Sequence, residues 1–139
     1  MKIDEILKKE SVIADIAGKN KLDVIMEMTD CLKRNNNIID DQGLYETLME
    51  REKLGSTGIG ENVAIPHGKS DELTQIIIVF ARSLSGIEFE SLDQKPVHFV
   101  CMVIAPAHHR RIAAGILSWG QDLDHETSPF QVNLSYQVP

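Results

Sequence analysis

TQIIIVFARSLSGIEFESLDQKPVHFVCMVIAP, residues 74–106, decides the fold because it contains three predicted β-strands. Residues 74–83 form a near-continuous apolar run rich in β-branched side chains, which is typical of a strand covered on both faces. Residues 86–91 alternate between apolar and polar side chains, as an exposed strand does. Residues 96–106 read as another central strand. The stretch therefore predicts a sheet with at least two buried strands.

Helices are predicted on both sides of this strand cluster. Residues 19–34 carry apolar side chains at helical spacing, and a second amphipathic helix is expected over about residues 41–53, with Gly55 placed to end it. Further elements are expected at residues 2–9 (helix), 11–17 (strand or extended), 62–66 (strand) and 107–119 (helix). The pattern indicates an α/β fold, a mixed β-sheet flanked by helices. No repeat or linker divides residues 1–139, so one domain is expected.

Composition narrows the class of function. The 139 residues are 42% hydrophobic and 25% charged, as in a soluble globular domain. The net charge of −7 argues against nucleic-acid binding and against an anionic membrane surface, but does not exclude a basic protein partner. No signal peptide or membrane-spanning run is recognisable, so a cytoplasmic protein without membrane insertion is expected. Cys31 and Cys101 lack zinc spacing and are expected as reduced, buried thiols.

The segment REKLGSTGIGENVAIPHGK, residues 51–69, concentrates the candidate functional residues. Gly58 and Gly60 favour a tight turn, although a loop whose N–H groups face an anion is the alternative. Arg51 is expected near the end of a helix, where it could contact the terminal carbonyls or bind phosphate with its planar fork. The segment lacks the residue order of a nucleotide P-loop.

His67 follows Pro66 at the end of a predicted short strand. Because proline ends ladder pairing and Gly68 adds no bulk, the imidazole is expected to be exposed. A neutral imidazole has a lone pair available near pH 7, which suits nucleophilic attack on a phosphoryl group. A metal site would need further ligands, and none lies close in the sequence, so no metal is expected.

The longer stretch LMEREKLGSTGIGENVAIPHGK, residues 48–69, resembles the signature of the enzyme IIA components of the bacterial phosphoenolpyruvate-dependent sugar phosphotransferase system. The resemblance is to the fructose–mannitol type, which also includes nitrogen-regulatory versions. An arginine–glutamate pair, a Gly-Ser-Thr-Gly-Ile-Gly loop and an Ala-Ile-Pro-His segment follow in the family's order. The match implies a mixed sheet flanked by helices.

The resemblance also implies a phosphotransferase role with a phosphohistidine intermediate. His67 would accept a phosphoryl group from the histidine-containing phosphocarrier protein and donate it to a cysteine of an enzyme IIB during sugar uptake. Arg51 would stabilise the phosphate, and no cofactor or metal is implied. Supporting roles in the phosphate loop fall to Ser56, Thr57 and Gly58. The alternatives are a nitrogen-type regulator that binds proteins according to its phosphorylation, and a folded but inactive relative.

The segment 107–139 departs from the family pattern, which is clear to about residue 106. His109 is a weak candidate for the family's second histidine, since residues 108–111 form a basic patch that solvation also explains. His98 is expected to be structural, and His125 has no assigned role. An altered reading frame near residue 107 is one hypothesis for the departure. If the closing helices are missing, apolar sheet surface is uncovered, which predicts a homodimer or another rearrangement that covers the gap.

Overall fold

The computed structural model describes residues 2–36 and 38–107, which contain helices and strands of one mixed sheet. In the described residues, helix α1 and a short 3₁₀ turn come first, strand β1 and the two main helices α2 and α3 follow, and strands β2 to β6 come last. The bounds are α1 Ile3–Ile6, the 3₁₀ turn Lys9–Ser11, β1 Val12–Ile13, α2 Lys21–Asn36, α3 Asp41–Leu54, β2 Gly58–Gly60, β3 Val63–Ala64, β4 His67–Ser70, β5 Ile77–Ile87 and β6 Val97–Pro106.

Both main helices begin at side chains that cap them. The Asn20 side-chain oxygen accepts from the Asp23 N–H at 2.9 Å, and the Asp40 carboxylate accepts from the Gly43 N–H at 2.9 Å. These bonds satisfy backbone donors that have no partner inside the helix. Gly55 ends α3 as predicted, and its N–H donates to the Glu52 carbonyl at 3.1 Å.

β6 lies at the centre of the sheet, whose order is β1-β5-β6-β3-β2, with β4 also paired to β6. β5 runs antiparallel to β6, whereas β3 and β4 run parallel to it. Val63 faces Phe99 and His67 faces Val103, so both partners lie 36 residues further along the chain. β3 and β4 therefore keep one register on β6 although Pro66 lies between them.

Helices α2 and α3 cover one face of the sheet and form the main core. Their apolar side chains pack on the inward residues of β5 and β6, among them Val79, Ala81 and Val100. A smaller cluster on β5 and β6 packs against Ile6 and Leu7 near the N-terminus. The predicted α/β fold, a mixed β-sheet flanked by helices, is confirmed.

Two predictions about strands are wrong. Residues 86–91 do not form a separate exposed strand, since β5 extends through Ile87 and the chain leaves the sheet there. The glycine segment 58–60 is a strand and not the turn that glycine spacing favours. The turn lies one step later, at Glu61 and Asn62, whose φ angles are 56° and 64°. Apart from residue 107, the predicted helix at 107–119 and the atypical segment 107–139 lie outside the described residues.

Candidate functional site

His67 is the first residue of β4 and lies against β6. The Val103 N–H donates to the Pro66 carbonyl at 3.0 Å, so pairing resumes directly after the proline. The prediction of an exposed imidazole is wrong, because His67 is only 9% exposed. Parallel pairing to a strand 36 residues later draws the residue into the sheet, which local sequence cannot indicate.

The hydrogen bond of the His67 ring defines its tautomer. Nδ1 lies 2.9 Å from the Ile65 carbonyl oxygen. A carbonyl oxygen only accepts, so Nδ1 carries the proton and the lone pair of the neutral ring lies on Nε2. Burial lowers the pKa of His67 to about 4; the Ile65 hydrogen bond opposes this, and the positive charge of Arg51 adds to it. The ring is therefore neutral at pH 7.

Arg51 belongs to the last turn of α3 and lies within electrostatic range of His67, since its charge lowers the pKa of the imidazole. Its Nη1 donates to the Gly55 carbonyl oxygen at 2.8 Å, a contact with a terminal carbonyl of the helix. Burial lowers the pKa of Arg51, and the neighbouring Glu52 carboxylate raises it in part. The two residues that the sequence singled out thus interact electrostatically, while the hydrogen bond of the Arg51 side chain goes to Gly55.

The loop residues Ser56, Thr57 and Gly58 make internal contacts that fix the backbone beside the histidine. The Ser56 hydroxyl donates to the Phe89 carbonyl at 3.1 Å and accepts from the Gly58 N–H at 3.0 Å. A Cβ on Gly58 would lie 2.9 Å from the Cα of Ser91, so only glycine allows this approach. The loop is held against the segment after β5.

Glu52 was not singled out from the sequence as a site residue, yet it is the most buried carboxylate near the site. Its side chain is 2% exposed, pairs with the Lys21 ammonium at 3.2 Å, and accepts from both the N–H and the hydroxyl of Thr57. A signal was present: Glu52 continues the apolar stripe of α3 four residues after Leu48, where a charged side chain is unexpected.

The remaining histidines contribute less to the described site. The Nδ1 of His98 lies 2.7 Å from the Ser83 carbonyl, which confirms its predicted structural role. His109 and His125 lie outside the described residues. Within residues 2–36 and 38–107, no group of three His, Cys, Asp or Glu side chains is arranged for a metal ion. No helix in those ranges is both long and apolar enough to cross a membrane.

A comparison with known protein families shows which family this chain belongs to. Residues 5–119 match the family model for "Phosphoenolpyruvate-dependent sugar phosphotransferase system, EIIA 2". The chain belongs to this EIIA family. The resemblance noted in the sequence is thereby confirmed.

Relatives of this EIIA chain include sugar-specific and regulatory proteins. It is 42% identical over 105 residues to the "PTS system fructose-specific EIIABC component" of Bacillus subtilis, covering 76% of this chain and 16% of that protein. The chain thus spans about a sixth of that relative. Among solved structures, the nitrogen regulatory protein IIA-Ntr of Neisseria meningitidis superposes with a TM-score of 0.74 at 28% identity, covering 95% and 97% of the two chains.

A second structural neighbour is enzyme IIA-mannitol of Escherichia coli, solved in a complex with phosphorylated enzyme IIB-mannitol. The EIIA chain superposes on it with a TM-score of 0.64 at 20% identity, covering 84% of this chain and 83% of that one. At that identity the likeness concerns the fold alone.

Proposed function

We propose that this chain is a phosphocarrier of the sugar phosphotransferase system, with His67 as its phosphorylated nucleophile. The observation that carries the proposal is the buried imidazole whose Nδ1–H donates to the Ile65 carbonyl and whose pKa is lowered in part by the positive charge of Arg51. Such a ring is neutral at pH 7 and has its lone pair on Nε2, which is the form that attacks phosphorus.

The proposed transfer occurs between nitrogen atoms. The Nε2 lone pair forms a bond to the phosphorus of the phosphohistidine on the histidine-containing phosphocarrier protein, and the donor's P–N bond breaks. The donor imidazole leaves with the electron pair and takes up a proton. The ring of His67 gains positive charge as the bond forms, and the Ile65 carbonyl that accepts its Nδ1–H stabilises this charge. No metal or cofactor enters the step.

Arg51 is proposed to neutralise the phosphoryl oxygens, because a guanidinium offers two parallel donors to an oxyanion. The loop of Ser56, Thr57 and Gly58 is proposed to support the site through its backbone, since the Ser56 and Thr57 hydroxyls already make internal hydrogen bonds. The role of His109 as a second histidine remains a proposal.

In the onward step, a thiolate of an enzyme IIB attacks the phosphorus of phospho-His67. An S–P bond forms, the N–P bond breaks, and the imidazole recovers its lone pair. The relative with a fructose-specific name and the structural neighbour bound to an enzyme IIB support this choice of acceptor. We place the chain in the cytoplasm, where both partners would meet it.

The test is phosphorylation from phosphoenolpyruvate through the two general phosphotransferase proteins, followed by intact mass. We expect one acid-labile phosphate adduct on the wild-type chain and none on His67→Ala. Arg51→Lys keeps the positive charge but loses the two parallel N–H donors of the guanidinium, and should slow the phosphorylation of His67 by about 100-fold or more. Glu50→Gln, on the exposed side of the same helix, is the matched control. An adduct that persists in His67→Ala would refute the assignment.

A regulatory function is the second candidate, supported by the 28% identity to IIA-Ntr over nearly the whole of both chains. In that case phospho-His67 would alter binding to a target protein and would not be discharged by an enzyme IIB. Mixing the phosphorylated chain with a fructose-type enzyme IIB separates the two functions. Rapid loss of the adduct supports transport, whereas a stable adduct supports regulation.

Homodimerisation is also proposed, and sedimentation velocity tests it directly. The sheet face that carries Phe80 exposes Val12 and Phe99 by 46% and 42% of their surfaces, which favours association. A strictly monomeric, folded chain at micromolar concentration would contradict this proposal.

A further inference from the structure

A buried ionic cluster lies behind the proposed phosphoryl site. The carboxylate of Glu52 accepts from the Thr57 N–H at 3.0 Å and from the Thr57 hydroxyl at 2.5 Å, and it pairs with Lys21 at 3.2 Å. The Lys21 ammonium also lies 5.2 Å from the centre of the Phe89 ring. The cluster joins the start of α2, the end of α3 and the glycine loop.

A continuous series of hydrogen bonds leads from this cluster to the imidazole. Glu52 holds Thr57 at two atoms, and the Thr57 carbonyl accepts from the Ile65 N–H at 3.0 Å. The Ile65 carbonyl in turn lies 2.9 Å from His67 Nδ1. A displacement of Thr57 is therefore transmitted to the atom that sets the tautomer of the histidine.

Stability alone does not explain a carboxylate at this position. Glu52 follows Leu44 and Leu48 on the buried stripe of α3, where another leucine would extend the core. Removing an ion pair from water is costly, and well-packed apolar side chains often replace buried pairs without loss of stability. What leucine cannot supply is a two-atom acceptor for the backbone and hydroxyl of Thr57.

We propose that Glu52 is a positioning residue for phosphoryl transfer, acting on His67 through Thr57 and Ile65. This inference rests on the proposed phosphocarrier function. Glu52 does not touch the phosphoryl group; it holds the loop so that the Ile65 carbonyl keeps the proton on Nδ1 and directs Nε2 to the donor. Because the Thr57 hydroxyl donates to the Glu52 carboxylate, Thr57 helps to position His67 in the same way.

The test compares Glu52→Gln with Glu50→Gln, an exposed carboxylate on the same helix that pairs with Lys53. We expect Glu52→Gln to slow phosphorylation of His67 by about 10- to 100-fold, as small misplacements of reacting groups do. Glu50→Gln should match the wild type. The Nδ1–H resonance of His67, followed by NMR well below the melting temperature, should broaden or disappear only in Glu52→Gln.

A second pair of variants keeps the test decisive if Glu52→Gln fails to fold. Thr57→Val removes the hydroxyl and keeps the shape, and should slow phosphorylation and weaken the Nδ1–H resonance, whereas Thr57→Ser should restore both. Thr29→Val is the matched control, because Thr29 is a buried threonine whose hydroxyl donates to Ile25 at 2.7 Å inside α2. A general loss of stability would affect Thr57→Val and Thr29→Val alike.

The outcomes separate the two proposals. A wild-type chain that takes up no phosphoryl group refutes the phosphocarrier function, while the Nδ1–H resonance still tests the positioning of His67. The second outcome concerns a wild type that is phosphorylated. If Glu52→Gln then matches Glu50→Gln, or Thr57→Val matches Thr29→Val, in both the phosphorylation rate and the Nδ1–H resonance, the positioning role of Glu52 is refuted.

Discussion

Lowering the pH should destabilise the folded chain through His67 in particular. The buried ring has a pKa of about 4 against an ordinary value of 6.5. As the pH falls, the unfolded chain binds the proton first, so the free energy of unfolding decreases between pH 6.5 and about 4 and levels off below. With about 1.4 kcal/mol for each pH unit, the contribution is about 3 kcal/mol.

Urea unfolding at several pH values between 7 and 4 measures this contribution when the wild type is compared with His67→Gln. Carboxylates and other groups titrate in both chains, so their effects cancel in the difference. We expect the wild type to lose about 3 kcal/mol more than the variant over this range. An NMR titration of the imidazole supplies the folded-state pKa independently.

Parallel stability curves for the wild type and His67→Gln, or an imidazole that titrates near 6.5 in the folded chain, would refute the effect of burial on His67. Either result would mean that water reaches the ring and that burial does not keep it neutral. Under the proposed function, a confirmed low pKa would also predict that His67 can still be phosphorylated at about pH 5, where an ordinary histidine is mostly protonated and cannot attack.

Three further predictions concern the surroundings of the site. Gly58→Ala forces a Cβ to 2.9 Å from the Ser91 Cα and should cost about 1–3 kcal/mol in urea unfolding; unchanged stability would contradict the close approach. Asn62→Ala loses the 2.7 Å bond to the Pro96 carbonyl at a φ of 64°, and should cost about 2 kcal/mol, with Asn62→Gly costing less. Equal losses of stability in Asn62→Ala and Asn62→Gly would contradict a contribution from the positive φ of residue 62. Burial raises the pKa of Cys101 to about 11, so iodoacetamide at pH 8 should alkylate the native chain far more slowly than the unfolded one, as intact mass can show. Rapid alkylation of Cys101 in the native chain would contradict a thiol pKa raised by burial.

Elements with a strong internal pattern could be predicted from the sequence. The apolar run of residues 96–106 has the composition of a buried strand, and β6 occupies Val97–Pro106. The apolar side chains of α3 and the glycine after it predict a helix over about residues 41–53, and α3 occupies Asp41–Leu54. In these segments the local pattern and the tertiary environment favour the same structure.

Elements that depend on a distant partner could not be predicted. The sequences of β2 and β4, Gly-Ile-Gly and His-Gly-Lys-Ser, lack the apolar alternation of strands. β4 is a strand because β6 supplies its hydrogen-bond partners, and the same pairing buries His67. The motif singles out His67 and Arg51 as candidates, but neither the burial of His67 nor its tautomer follows from the motif.

Glu52 was missed for a related reason. A charged residue near the end of a helix is most often solvated, so its identity alone gave no sign of burial. Its position four residues after a buried leucine was the available signal. The partners that make its burial tolerable, Lys21 and Thr57, come from two other segments of the chain.

The central place of β6 has a consequence for the chain during its synthesis. β3 and β4 emerge from the ribosome 36 residues ahead of the strand on which they pair. Such distant pairings form late compared with helices, whose contacts are local. Until Val97–Pro106 has emerged, β4 lacks its hydrogen-bond partners and His67 is not buried against β6. The environment that keeps His67 neutral is therefore complete only after β6 has been synthesised.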